Sequence, residues 1–411
     1  MGERQTSPRL LYVTLSLARG GTEQHLAEIT PRLAERGWPV SLYCLMGRGE
    51  MADAIAGRGV DVIGPPVEPD GASLRLPAPL RLVLASAKLL WVMIWLRPSV
   101  VHFYLPGAYL VGGPLSLLSR CPVRIMSRRH QNRHLSGRPV VGWLERWLHK
   151  RMTVVLGNSR RVVDELVREE DCEPARVGLI YNGVDLKRFS APPDRAAVRK
   201  SLGIDDARLV LIMVANLIPY KGHRDLMRAL GRVNNSLPQP WVALLAGRDD
   251  GCGREIEREA RRQGIASRVR LLGSRTDVPA LLGAADIGLL TSHQEGFSNA
   301  IIEAMAAGLP MVVTDVGGNA EAVLDGVTGH VVAARHAAAL GEAILSLAND
   351  PECAARMGAA ARRRASELFS IEACVAAYEE VYTGLLRGEI AATLAPVGRP
   401  LARLGVSKLP N

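Results

Sequence analysis

The chain has 411 residues, 48% hydrophobic and 22% charged, an ordinary globular balance at a length that calls for two cores. Aromatics are only 4%, which argues against a nucleic-acid reader built on stacked bases. The net charge of +10 is uneven: residues 71–163 hold 15 Lys/Arg against one acid, Glu145, so the rest of the chain sums to −4.

The first apolar run, about nine residues, is too short and too mixed for a signal peptide and reads as a strand over 9–15. Further strands are expected at 40–45, 60–63, 100–103, 123–127 and 153–156, with helices over 21–36, 79–96, 140–150 and 160–169 between them. Several strands are near-continuous apolar runs, as when both faces of a parallel sheet are covered. The polar Pro192-Pro193 segment interrupts the alternation like a linker. Strands then resume at 209–215, 241–246, 269–272, 286–290, 311–314 and 330–332, followed by a last helix over 371–386. The fold class is therefore α/β, two Rossmann-like doubly wound parallel-sheet domains, 1–190 and 191–370, with residues 371–411 as a C-terminal helix and tail.

The segment 79–96 is apolar but carries Arg81 and Lys88 and ends at Arg97-Pro98. It fits a core-facing crossover helix, or an interfacial helix with Trp91 and Trp95 at a headgroup layer. Trp143 and Trp147, near Arg146 and Lys150, repeat that composition. The basic segment as a whole, with Arg128 and Arg129 in it, is either a solvated face or a surface for an anionic membrane or phosphorylated acceptor. The six cysteines lack metal-ligand spacing and read as small buried hydrophobes in a reducing compartment.

Three places could carry chemistry. Gly20-Gly21, between the first strand and helix, fits a ligand approach at a helix N-terminus or a plain tight turn. It is not G-x-G-x-x-G, which disfavours a dinucleotide oxidoreductase. Lys221-Gly222, after the loop 216–220, stands where a lysine meets a phosphate as a point charge, or is a surface lysine. The third is Glu295-Gly296-Phe297-Ser298-Asn299, leading into a helix that carries Glu303 and stops at Gly308-Leu309-Pro310. A Ser or Asn cap, good helix formers, then Gly and Pro write both helix ends. Glu295 and Glu303 would lie about 12 Å apart along a helix axis. That is too far for a shared-proton dyad, but it suits a ligand stretching past a helix end with phosphates in its middle. Two structural glutamates are the bland alternative.

Together GGTEQHLAEITPRLAERGW, NSRRVVDELVRE, IYNGVDLKRF, YKGHRDL, ADIGLLTS and EGFSNAIIEAMAAGLPMVVTDVGGNAEAV resemble the GT-B fold retaining glycosyltransferases of the GT4-type family (glycosyltransferase group 1), over about residues 9–385. The resemblance implies two domains facing a cleft, a last helix crossing back to the first, and no metal or other cofactor. The donor would be a UDP- or GDP-sugar, and the acceptor a glycan or lipid-linked sugar met at an anionic membrane surface. Glu303 would hold the ribose, Glu295 the donor sugar, and the backbone of Gly296, Phe297, Ser298 and Asn299 the sugar and phosphates. Lys221 would bind phosphate. Asn216 stands where the family usually has an arginine; Arg275, Arg19 and Arg129 are candidates to replace that charge. Gly20 and Gly21 resemble the first-domain loop, and His130, with His102 as runner-up, the first-domain histidine near the donor. The expected location is cytoplasmic, peripheral on the inner face of the membrane. A sugar-nucleotide epimerase or hydrolase, or a degenerate binding subunit, are the alternatives.

Overall fold

The computed structural model describes residues 7–18, 20–66, 76–131, 138–189 and 194–389. The chain forms two compact units: Met1–Tyr181 together with Glu372–Asn411, and Asn182–Ile371. They part ahead of Pro192-Pro193, a segment outside the described residues.

The first unit is built on strands β1 (Leu10–Thr14), β2 (Val40–Cys44), β3 (Asp61–Ile63), β4 (Val100–Tyr104), β5 (Val123–Arg128), β6 (Val154–Gly157) and β7 (Val177–Leu179). All pair in parallel, in the order β3-β2-β1-β4-β5-β6-β7. Alternate residues face opposite sides. Leu11, Val13, Val101, Phe103 and Met126 join the core under the helices Ala78–Leu96, Pro106–Leu118 and Pro139–His149. The helix Pro106–Leu118 was not expected from its Gly and Pro content. Its glycines are there for close packing: a Cβ on Gly112 would lie 2.5 Å from the Phe103 ring.

The opposite face is polar yet buried. The Tyr12 hydroxyl meets that of Tyr382 at 2.6 Å, and His102 bridges Tyr382 and Ser127, each at 2.8 Å. His25 Nε2 lies 3.2 Å from the Tyr378 hydroxyl. Tyr378 and Tyr382 come from the last helix, Ile371–Leu386, which also accepts the Trp38 indole N–H on Glu379 at 2.9 Å. Burial holds His102 well below the usual imidazole range, with the Arg129 charge adding to it. His25 is shifted down likewise, by burial first, then Arg129 and His102. Burial pushes the Tyr378 phenol up to about 12.

One expectation fails here. Arg128, placed in the basic segment as a contact for an anionic partner, is 1% exposed. Its guanidinium donates to Glu145 at 2.9 Å and to Glu170 at 2.7 Å, and His149 meets Glu170 at 2.7 Å. Removing one partner from such a buried pair costs about 3–5 kcal/mol, so Arg128 belongs to the core.

The second unit has β8 (Leu209–Val214), β9 (Trp241–Ala246), β10 (Val269–Gly273), β11 (Ile287–Leu290), β12 (Met311–Thr314) and β13 (Gly329–Val332). These are also all parallel, ordered β10-β9-β8-β11-β12-β13. The order reverses between β8 and β11. In open α/β sheets, ligands bind beyond the strand ends at such a switch point.

Candidate active site

Two loops leave the switch point of the second unit. One follows β8 to Lys221, and the other follows β11 to Ser298. They are zipped together by backbone. Gly222, at φ +72°, sits against Thr291, where a Cβ would fall 1.9 Å from the carbonyl oxygen. The Thr291 hydroxyl donates to the Lys221 and Gly222 carbonyls at 3.1 Å each, and the His293 amide donates to Tyr220 O at 2.7 Å. His293 also meets Asp225 at 2.7 Å.

That closure brings Lys221 Nζ to 2.5 Å from Glu295 Oε1. The side chains are 17% and 10% exposed, so the pair is shielded but reachable. Ser292 Oγ donates to the same carboxylate oxygen at 2.7 Å, and Thr314 Oγ1 at the end of β12 donates to Ser292 O at 2.6 Å. The Gly318 amide donates to Gly296 O at 2.7 Å. The sequence assigns Lys221 and Glu295 to separate ligand groups, and the structure brings them together. Here each neutralises the other. Directly behind Lys221, burial and then the lysine charge bring the His223 imidazole down to about 4.

The helix Asn299–Ala306 starts at this pair. Ser298 is its cap residue, but its side chain makes no capping bond, so the first-turn N–H groups are not covered by that hydroxyl. Glu303 is partly exposed between the buried Ile302 and Ala304. The ring of Phe297 is 4% exposed and packs on Phe369, centroids 5.2 Å apart. Asn182, which the sequence did not single out, fixes the entry to this helix. Its Nδ2 donates to Phe297 O at 2.8 Å and to Asn299 Oδ1 at 2.6 Å.

The other expected residues lie as follows. Asn216 Oδ1 accepts the Arg248 amide at 3.2 Å, so it caps the turn after β9. The Arg248 guanidinium, also missed in the sequence, pairs with Asp250 at 2.7 Å in the same loop cluster. Arg275 follows β10, two strands from β8, and is held by Asp277 at 2.8 and 2.6 Å. In the first unit, Gly20 precedes the helix Gly21–Glu35, and a Cβ on it would meet the Glu23 carboxylate at 2.3 Å. His130 lies after β5 with Nδ1 3.1 Å from Gln131 O. His102, the runner-up, is sealed in the tyrosine network at 1% exposure. Arg129 lies with its guanidinium carbon 5.9 Å from the Tyr104 ring centre. Arg19 lies outside the described residues. A separate cavity of about 460 Å³ opens at the other end of the second sheet, where its strands begin, and is lined by Arg199, Arg208 and Asp286. Arg199 pairs with Asp286 and the Ala284 carbonyl, and Arg208 with Asp205, at the sheet end opposite the switch-point loops.

The family "Glycosyltransferase Family 4" matches residues 19–188, and "Glycosyl transferases group 1" matches residues 194–364. Glycogen synthase of Mycobacterium tuberculosis is 31% identical over 307 residues, covering 71% of this chain and 70% of the relative. The chain belongs to the family 4 glycosyltransferases (group 1). Within that family it is also similar to D-inositol 3-phosphate glycosyltransferase of Streptomyces avermitilis, 32% identical over 242 residues, 57% of this chain. The match spans about half of that relative, 52% of its length. The fold of this family 4 glycosyltransferase is GT-B. Anabaena HepE, crystallised in complex with UDP-glucose, superposes with a TM-score of 0.79 at 23% identity, covering 92% of this chain and 100% of HepE.

Proposed function

We propose that the chain is a retaining, metal-independent hexosyltransferase. It would move a sugar from a UDP- or GDP-sugar to a glycan or lipid-linked acceptor in cell-envelope or polysaccharide synthesis. The observation that carries this reading is the Lys221–Glu295 pair at the head of the helix Asn299–Ala306, on the switch point of the second sheet. An anionic diphosphate takes Lys221 and the helix-start amides, and the carboxylate thus released accepts sugar hydroxyls. Glu303 serves the ribose.

Breaking the anomeric C–O bond places negative charge on the leaving diphosphate and positive charge on the sugar. Lys221 and the helix N-terminus stabilise the first. The acceptor hydroxyl gives its proton to the departing phosphate oxygen and bonds to the anomeric carbon on the same face, which retains configuration. In this reading Gly20 and Gly21 approach donor and acceptor, and His130 contacts the donor sugar. The relatives' names support glycosyl transfer, and the UDP-glucose bound by HepE supports a nucleotide-sugar donor.

Asn216 favours a second reading, a binding subunit of low turnover. A neutral cap stands where a cation would help neutralise the diphosphate. Thermal denaturation with UDP, GDP, ADP and their sugars separates the outcomes. A donor at a hundred times its Kd should add about 2.7 kcal/mol of stability, and added acceptor should release the nucleoside diphosphate. Stabilisation without release supports the second reading, and no stabilisation by any of the set overturns both.

A further inference from the structure

The helix Ala78–Leu96 is apolar on two faces. Ala85, Leu89, Val92 and Met93 are buried against the first sheet, and the Tyr43 hydroxyl donates to Ala85 O at 2.7 Å. On the other side Leu80, Leu84, Ala87, Trp91 and Trp95 recur at helical spacing and are exposed, Trp91 to 57% and Trp95 to 66%. The two indoles stack, centroids 5.6 Å apart and planes 5° apart. A helix apolar all round belongs in a core or in lipid. Here one face has the core and the other has nothing from the described chain. The helix Pro106–Leu118 packs beside it and the helix Pro139–His149 beside that; the latter adds exposed Val140 and Trp143.

The charges on this layer are of one sign. The three helices and their C-terminal caps hold Arg81, Lys88, Arg97, Arg146 and Lys150, and the one acid, Glu145, is buried on Arg128. A second copy seated on this face would set cation against cation. Tryptophan, aliphatic side chains and flanking Lys/Arg on a solvent-facing helix match an anionic lipid surface.

We propose that the outward face of Ala78–Leu96 is a membrane-docking ridge for an anionic bilayer. The helix lies in the interfacial plane, with the Trp91–Trp95 stack among the acyl-chain ends of the headgroups. By length and composition this helix could cross a membrane. Doing so would strip Leu89, Val92 and Met93 from the core, so the ridge docks and does not span. The proposal deepens the transferase reading by giving the surface on which a lipid-linked acceptor is met.

The test uses the full chain, with neither donor nor acceptor, so it can fail while the transferase reading stands. Flotation with phosphatidylglycerol/phosphatidylcholine vesicles should carry the protein, and pure phosphatidylcholine vesicles should carry far less. The double variant Trp91→Ser/Trp95→Ser should lose on the order of tenfold in bound fraction, with unchanged circular dichroism and thermal midpoint because both positions are exposed. Equal binding by the variant, no binding by the parent protein, or a dimer in sedimentation velocity that the variant dissolves would each overturn the proposal. Reversing Arg128 is no substitute test, because it breaks the core.

Discussion

Lys221 and Glu295 stand 74 positions apart in the chain and meet across the β8–β11 crossover, Nζ to Oε1 at 2.5 Å. The pair holds each group in charge balance, and under the proposed function a diphosphate and a sugar would separate them. Ser292, bonded to the same carboxylate oxygen, would then keep Glu295 in place.

Glu295→Ala should therefore abolish transfer, by about two to three orders of magnitude, while nucleoside-diphosphate affinity is kept or tightened. The lysine it leaves behind has lost its internal anion and takes the diphosphate instead. Calorimetry with the free diphosphate and a product-release assay read the two quantities separately. Equal loss of both would remove Glu295 from its role at the sugar.

Asn216→Arg tests the missing charge. Calorimetry should show tighter nucleoside-diphosphate binding, because a guanidinium enters the switch-point loops. The same change uncaps the Arg248 amide, so urea unfolding should show a loss of about 1 kcal/mol. Unchanged affinity with that stability loss would mean that position 216 only shapes the β9 turn.

Acid should weaken the first unit. His25 and His102 are both held down by burial, so the unfolded chain takes up protons near pH 6.5 that the folded unit refuses. Their contribution is complete above about pH 6.5 and falls as pH drops from there toward the folded-state values, by at most about 1.4 kcal/mol per pH unit for each histidine. Urea midpoints measured from pH 7.5 to 5 should fall, and His102→Gln should flatten the slope. An unaltered slope in that variant would show that His102 does not carry the linkage.

What was legible in the sequence follows from the range of the interactions. The Asn299–Ala306 helix could be read because Ser298, Gly308 and Pro310 mark its ends locally, and Lys221 because it sits on a strand-to-helix junction. Asn182 could not: its partner Phe297 is 115 positions away. The burial of Arg128 was hidden for the same reason, its counter-ions lying 17 and 42 positions along the chain. Charge counting reports composition and says nothing of pairing. The helix Pro106–Leu118 escaped because Gly112 reads as a breaker until Phe103 is seen packed against it. The strand β7, three residues long, is too short to show a period.

The tyrosine network also sets an order of events during synthesis. Tyr378 and Tyr382 complete the first unit, yet the ribosome makes them only after the whole of Asn182–Ile371. At about 5–20 residues per second, the first sheet waits roughly 10–40 s for its last helix. The face left bare in that interval carries Tyr12, His102 and Ser127, which water can hydrogen-bond, while the apolar face already has its three helices. The nascent unit thus shows water and chaperones a wettable surface while it waits.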